Sequence, residues 1–242
     1  MEKTNNRKII MITGAGRGIG RAIALRFASE GCLLVLISRS ADELESVSGE
    51  ILRKGLVCLT IAADISKEKD IKRIYRTIID RLGNLDILVN NAGRGSIGKP
   101  LTEINTKDWH KTMNTNLKSI FIMSREALRI MIPRGKGKII NIASMASRRG
   151  ISLRSVYSAS KFGVLGLTES MAAEVKHLDI NINAVNPGMV ETKTFRKAHP
   201  DYNEPDLMHP DDIARVVTFL ASEDAAAIKG SIIDVSNGQH LN

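Results

Sequence analysis

Tyr157 stands four residues before Lys161 in the run SVYSASKFG, and the chain holds only three tyrosines in 242 residues. Positions i and i+4 share a helix face, so a phenol and an ammonium meet there. A free phenol has a pKa of about 10, and a cation at about 4 Å offers roughly 4 kcal/mol at an effective dielectric of about 20. That would bring the phenol down by about 3 pKa units, close to neutrality. On these nine residues alone the plain reading, an accidental pair on a solvated helix, is favoured over a proton-transfer device, and the rest of the chain has to change those odds. Ser144, in NIASMAS, ends an apolar run. No G-x-S-x-G surrounds it and no histidine is placed to activate it, so its hydroxyl suits hydrogen bonding to a substrate oxygen better than nucleophilic attack.

A second constellation suits phosphate. In TGAGRGIGRAIA (13–24) the glycines Gly14, Gly18 and Gly20 are spaced G-x3-G-x-G rather than G-x-G-x-x-G. Such a strand-to-helix turn permits close backbone approach and leaves helix N–H groups for a pyrophosphate. No G-K-[ST] follows, which argues against a triphosphate P-loop. The next strand ends in LISRS, with Ser38 where an acid would take the adenosine ribose hydroxyls of NAD, and then Arg39. A guanidinium suits a 2′-phosphate, and Arg17 in the glycine turn reaches the same side, so NADP(H) is expected over NAD(H). Asp42 is the nearby acid that would serve NAD instead. Asp64, in AADIS, is an acceptor suited to the adenine amino group. In NNAG (90–93), Asn90 and Asn91 suit bridging at a strand end, and Gly93 lets the chain pass close to a ligand.

The elements that carry these residues alternate regularly. Strands are expected at 8–13, 33–38, 56–62, 86–90, 138–143, 182–186 and 231–236, each a near-continuous apolar run of the kind buried on both faces. Helices are expected at 17–29, 42–54, 67–82, 107–131, 156–177 and 211–221. Ser40-Ala-Asp-Glu43 forms a capping box, and a further helix starts at Thr106. The pattern predicts an α/β fold: one Rossmann-type, doubly wound parallel sheet of about seven strands with helices on both faces, a single domain over 1–242. In such sheets ligands sit beyond the carboxyl ends of the strands, where the glycine turn, Ser38, Asp64, NNAG and Ser144 all fall.

Composition excludes several classes. Cys32 and Cys58 are too few and too embedded in apolar runs for a disulfide framework, so both are expected buried and reduced. No His/Cys cluster has metal-ligand spacing, and no metal is expected. No run approaches a membrane span and the apolar stretch near the N-terminus is too short for a signal peptide, so a cytoplasmic protein is expected. The net charge of +9 permits acidic partners. With 4% aromatic residues and no lysine-rich block, nucleic acid is not expected among them.

Taken together these runs resemble the short-chain dehydrogenase/reductase family, most of all its 3-oxoacyl-[acyl-carrier-protein] reductase-type members. TGAGRGIG (13–20), Asp64, NNAG (90–93), Asn116 in NTNLKS, Ser144, YSASK (157–161) and NPGMVET (186–192) occur in family order across almost the whole chain. The resemblance implies that Tyr157 is the acid in ketone reduction and the base in alcohol oxidation. It implies that Lys161 activates the phenol and holds the nicotinamide ribose, that Ser144 orients the carbonyl, and that Asn116 anchors a water linking Lys161 to solvent. Pro187 and Gly188 would pass beside the nicotinamide with Thr192 near its amide, and Ile19, Ile65, Ala92 and Val190 join the implied cofactor set. A homotetramer is expected, with a dimer as the runner-up, built on apolar residues such as Met113, Leu117, Phe121, Phe162, Leu165 and Met171 that cover more than one helix face. The chain departs from the family in DVSNGQHLN, which lacks Asp-Gly-Gly, in KHLDINI, which lacks a glycine, and at Ala173, where many members carry a basic residue.

The substrate is less legible. A short lid is expected at about 187–209. The loops 90–105 and 143–155 hold Arg94, Lys99, Arg148, Arg149 and Arg154 against one acid, Glu103. That excess favours an anionic substrate, such as a carrier-linked 3-oxoacyl group or a sugar acid. Two other readings stay open: an NAD(P)-dependent sugar, sugar-acid or polyol dehydrogenase, and an NADP-sensing binding protein without turnover. The sensor would have no use for Ser144, Tyr157 and Lys161 together.

Overall fold

The computed structural model describes residues 7–202 and 207–239. Seven strands form one parallel sheet in the order β3-β2-β1-β4-β5-β6-β7. They are β1 (Ile9–Thr13), β2 (Leu33–Ser38), β3 (Cys58–Ala62), β4 (Ile87–Asn90), β5 (Lys136–Ile142), β6 (Asp179–Pro187) and β7 (Ile232–Val235). The order reverses at β1, so the crevice beyond the carboxyl ends of β1 and β4 is the switch point where such sheets take ligands.

The apolar runs divide by parity. Ile9 and Met11 of β1 join a core under α3 (Glu68–Leu82), α5 (Ser119–Met131) and α6 (Ser155–Glu174). Ile10 and Ile12 join the opposite core under α1 (Gly18–Ser29), α2 (Ala41–Arg53) and α8 (Pro210–Ala221). Alternate side chains of a strand point to opposite faces, so a continuous apolar run is what a doubly covered strand requires. The edges break the expectation of full burial: Thr60 and Ala62 of β3 and Asp234 of β7 are exposed. Cys58, on the β3 edge, and Cys32, just before β2, are only half-buried, and both are free thiols.

The helix expected over 107–131 is interrupted. It runs as α4 (Thr106–Met113), a π-helical turn over Asn114–Lys118, and then α5. Asn105 caps α4 by accepting from the Asp108 amide at 2.8 Å. Ser40 caps α2 as predicted, accepting from the Glu43 amide at 3.2 Å, while the Glu43 side chain turns to Arg17. Below the site a buried polar chain ties helices to sheet. Asn90 donates to Ser124 and Asn141, and Asn141 donates to Thr168 of α6. Satisfied buried groups of this kind fix how α6 sits on β4 and β5.

Candidate active site

The glycine turn links β1 to α1. Gly14 and Gly18 have φ of +67° and +55°, the left-handed region that favours glycine. At Gly20 a Cβ would stand 2.1 Å from the Gly14 carbonyl oxygen, so only glycine lets α1 start this close to the turn. The first turn of α1 contains no acid and has no side-chain cap, leaving its N–H groups oriented for an anion. Thr13 and Asn91 brace the turn. Thr13 Oγ1 accepts from the Asn91 and Ala92 amides at 3.0 Å each, and Asn91 Nδ2 donates to the Thr13 and Gly14 carbonyls at 2.9 and 3.2 Å. Ile19, half-buried, packs against the α1 side core in that first turn.

Beyond β2 and β3, Ser38 is half-buried, Arg39 exposed and Ile65 buried. Asp64 Oδ1 accepts from the Ser66 amide and hydroxyl at 3.1 and 2.8 Å. Burial opposes ionisation of Asp64, but those two bonds and the charges of Arg39 and Lys67 hold its carboxyl below the ordinary value. Arg17, expected to face a phosphate, is paired with Glu43 at 3.1 Å. The acid turned toward the glycine turn is therefore Glu43, while Asp42 is exposed.

Ser144 lies just past β5 and caps a single turn, Met145–Ser147, with Oγ accepting from the Ala146 amide at 3.2 Å. The same hydroxyl lies close enough to the Tyr157 phenol to favour its ionised form, bringing together two residues that the sequence separates by thirteen positions. The turn is anchored from below: Ser147 donates to Asn186, Asn186 donates to Asp234, and Arg148 pairs with Asp234 at 3.1 Å. Tyr157 is the third residue of α6 and Lys161 lies one turn on, as the spacing predicts. Lys161 is buried, and Nζ donates to the Ile142 carbonyl at 2.9 Å. Burial pulls its pKa down to about 8.

One expectation fails here. Burial keeps the Tyr157 phenol above its ordinary value, and what opposes that rise is the nearby Ser144 hydroxyl and the charge of Arg154. Lys161 sits over the ring face, 5.9 Å from its centroid, with its hydrogen bond turned to Ile142.

Asn116 is fully buried in the π-turn, and its carboxamide is committed. Oδ1 accepts from the Arg94 amide at 2.7 Å, and Nδ2 donates to the Arg94 carbonyl at 3.0 Å and to Ser160 Oγ at 3.1 Å. It clasps the loop after β4 rather than presenting its amide to a water. Gly93 passes between this group and Lys161: a Cβ there would stand 3.6 Å from Asn116 Oδ1 and 3.8 Å from Lys161 Nζ.

On the lid side, Pro187 ends β6 and Gly188 packs against Ser236 and Gln239. Gln239 accepts from the Met189 amide at 2.7 Å, so the tail that lacks Asp-Gly-Gly still clasps this loop. Val190 is buried and bridges to Met208, closing the base of the lid. Thr192 caps α7 (Lys193–Ala198) through Oγ1, with its methyl 3.3 Å from where a Gly18 Cβ would stand. Residues 203–206 of the expected lid lie outside the described residues. Arg154 Nη2 meets His199 Nε2, at the end of α7, at 3.2 Å. The sequence offers no signal for this contact between residues 45 positions apart.

These residues fit a nicotinamide dinucleotide: an uncapped helix start at the switch point, and a buried ammonium with no carboxylate partner among the described residues. Among the described residues no group of three His, Cys, Asp or Glu is placed to hold a metal, and no helix is long and apolar enough to cross a membrane.

Fold and site together define an α/β oxidoreductase of the doubly wound, dinucleotide-binding class, with Ser144, Tyr157 and Lys161 gathered beyond the end of β5. A family model described as short chain dehydrogenase matches residues 8–203, and the chain belongs to the short-chain dehydrogenase/reductase family. It is 40% identical to the sepiapterin reductase of Chlorobaculum tepidum, over 94% of this chain and 95% of that one. It is 34% identical to the 3-oxoacyl-[acyl-carrier-protein] reductase FabG of Vibrio harveyi, over 97% and 98% of the two chains. Among solved structures it is similar to a variant of actinorhodin polyketide ketoreductase with NADPH, at a TM-score of 0.90 and 30% identity, covering 96% of this chain and 97% of that one.

Proposed function

We propose that the protein reduces a ketone with NADPH, and that Ser144, Tyr157 and Lys161 carry the proton chemistry. The observation that carries this reading is the approach of the Ser144 hydroxyl to the Tyr157 phenol at the carboxyl edge of the sheet, one helical turn from a buried ammonium. NADPH, when bound, supplies the hydride. Ser144 then donates to the carbonyl oxygen, and Tyr157 delivers the proton that makes it a hydroxyl. Lys161 holds the ribose with the donors not used by Ile142 and stabilises the phenolate as it forms. We assign Asn116 a positioning part through the Arg94 loop, whose amide and carbonyl its side chain holds. Gly14, Gly18, Ile19 and Gly20 would cradle the pyrophosphate, with Asp64, Ile65, Asn91, Ala92 and Gly93 along the adenosine and ribose. Pro187, Gly188, Val190 and Thr192 would wall the nicotinamide. NADP(H) rather than NAD(H) is supported by Ser38 and Arg39 at the end of β2, and by the NADPH in the ketoreductase structure.

For the substrate we favour a ketone with an anionic or acceptor-rich group, a 3-oxoacyl thioester being the first candidate. Arg94 and Arg148 are neutralised by Asp108 and Asp234. Arg154, by contrast, has no carboxylate partner among the described residues and lines a crevice with Ser96, Ile97, Leu153 and Tyr157. Leu153 holds a φ of +62° there, a strained conformation of the kind that collects at functional sites. The 40% identity to a sepiapterin reductase makes a ketone on the side chain of a heterocycle the second reading. NADPH oxidation over a panel of 3-oxoacyl thioesters, side-chain ketones and sugar acids tests both. No turnover of any carbonyl, with NADPH still bound, would point to the sensor instead.

We further propose a cytoplasmic homotetramer, in keeping with the two free thiols and with an apolar outer face. Trp109, Phe121 and Phe162 are 41%, 45% and 45% exposed on α4, α5 and α6, whereas Leu165 and Met171 turn into the core. Light scattering giving a monomer mass at micromolar concentration would overturn the tetramer.

A further inference from the structure

Glu43 is a carboxylate at the adenosine end that the reading above leaves unused. As the third residue of α2 its amide caps on Ser40, but its side chain leaves the helix and reaches across to the glycine turn. Oε1 accepts from Arg17 Nη1 at 3.1 Å. Oε2 lies 3.0 Å, and Cβ 2.7 Å, from the position a Cβ on Gly16 would take, and Ser38 Oγ lies 3.4 Å from that same position. A carboxylate, the Ser38 hydroxyl and the Arg17 guanidinium are thus gathered at one corner, between the glycine turn and the end of β2. That is the corner where a 2′-phosphate would stand if Arg39 selects it.

We propose that Glu43 is a cofactor-discriminating residue that works against the phosphate: it ties up Arg17 and places a negative charge beside the 2′-position. The proposal rests on the assignment of Ser38 and Arg39 to that phosphate. Two like charges brought within a few ångströms repel, and the repulsion grows with the phosphate's second ionisation. The Arg17–Glu43 pair is half-exposed, 55% and 34% for the two side chains, so it is weak enough for a phosphate to compete for Arg17. The carboxylate left behind keeps opposing the ligand. Both cofactors carry the pyrophosphate, so its repulsion by Glu43 cancels between them; only NADPH adds the 2′-phosphate, so Glu43 narrows the margin between NADPH and NADH that Arg39 sets.

The test is a pair of binding titrations, NADPH and NADH, followed by cofactor fluorescence at low ionic strength without substrate. Glu43→Gln keeps the size and a hydrogen-bond acceptor for Arg17 while removing the charge. It should tighten NADPH binding by about threefold to tenfold and leave NADH within about twofold. Added salt should shrink the NADPH gain, because screening weakens the repulsion being removed. Glu43→Lys should tighten NADPH further, and this second variant covers the case in which the glutamine protein folds poorly. Unchanged or weaker NADPH binding in both variants overturns the proposal, as does an equal gain for both cofactors. The underlying assignment fails separately: it falls if the native protein prefers neither cofactor and Arg39→Ala alters neither affinity. A native protein that favours NADPH but ignores the charge at position 43 defeats the Glu43 proposal alone.

Discussion

Lys161 lies over the ring of Tyr157, 5.9 Å from its centroid, and gives its hydrogen bond to the Ile142 carbonyl at 2.9 Å. The ammonium is therefore held by the end of β5, while the phenol lies beside the Ser144 hydroxyl, which favours its ionised form. The proposed mechanism divides proton delivery and cofactor holding between the two side chains. Tyr157→Phe should lower turnover by about 10² or more and leave NADPH affinity nearly unchanged. Lys161→Ala should weaken both together. Full turnover in Tyr157→Phe, measured with the best substrate found, would remove the phenol from the mechanism.

The buried ammonium also makes a stability prediction. Lys161 falls from 10.5 to about 8 on folding, so between those values the unfolded chain binds the proton more tightly. Stability from this group therefore rises with pH across that window, and below about pH 8 the native protein bears the full cost of the buried charge. That cost is at most about 3 kcal/mol, from a fall of about 2.5 pKa units. Lys161→Met should match or exceed the native melting temperature at pH 7, and the difference should shrink toward pH 10. Calorimetry at the two pH values checks it; a difference that grows with pH contradicts it.

The proposed cofactor preference rests on Arg39, whose charge acts on Asp64 across the ends of β2 and β3. Native protein should bind NADPH at least about tenfold tighter than NADH. Arg39→Asp should reverse the order, since it removes a cation and sets an anion opposite the phosphate. Equal native affinities in fluorescence titration would refute the assignment.

Strand–helix alternation made the sheet legible, because strands covered on both faces must be apolar throughout, as Ile9 to Ile12 are. The edges were not legible: nothing local marks β3 as the strand with a bare side, where Cys58 is half-exposed. Glycine spacing located the cradle because close approach forbids a Cβ at Gly20 whatever the tertiary context. The π-turn at Asn114–Lys118 escaped, since its sequence keeps a helical pattern and the Asn116–Arg94 clasp within it joins residues 22 positions apart. Glu43 was read as a cap because a capping box is a local pattern, whereas its contact with Arg17 spans 26 residues.

Asn116 is the next test of positioning. Asn116→Ala removes both anchors of the Arg94 backbone, leaving a buried amide and carbonyl without those partners. The cost should be about 2–4 kcal/mol, a melting temperature lower by about 5–15 °C in a chain of this size. Asn116→Asp keeps the acceptor for the Arg94 amide and loses the two donors, so it should fall between native and alanine. A native-like melting curve for the alanine variant would show that the clasp carries no such weight.

The substrate reading is tested at Arg154. Its guanidinium meets His199 of the lid on one side, and on the other its charge counts among the forces that lower the Tyr157 phenol. If it grips an anionic group, Arg154→Gln should raise KM for an anionic ketone by about tenfold. A neutral ketone of the same reactivity should keep its KM within about twofold. The same variant should move the alkaline limb of the pH profile in the oxidation direction upward, since a cation that favours the phenolate has gone. His199→Ala frees the guanidinium without removing it, so it should preserve both the preference for the anion and the pH limb. A packing defect near Tyr157 would instead depress turnover on both ketones alike. Equal losses on anionic and neutral substrates in Arg154→Gln would therefore take the anion from this site and leave Arg154 acting on the phenol alone.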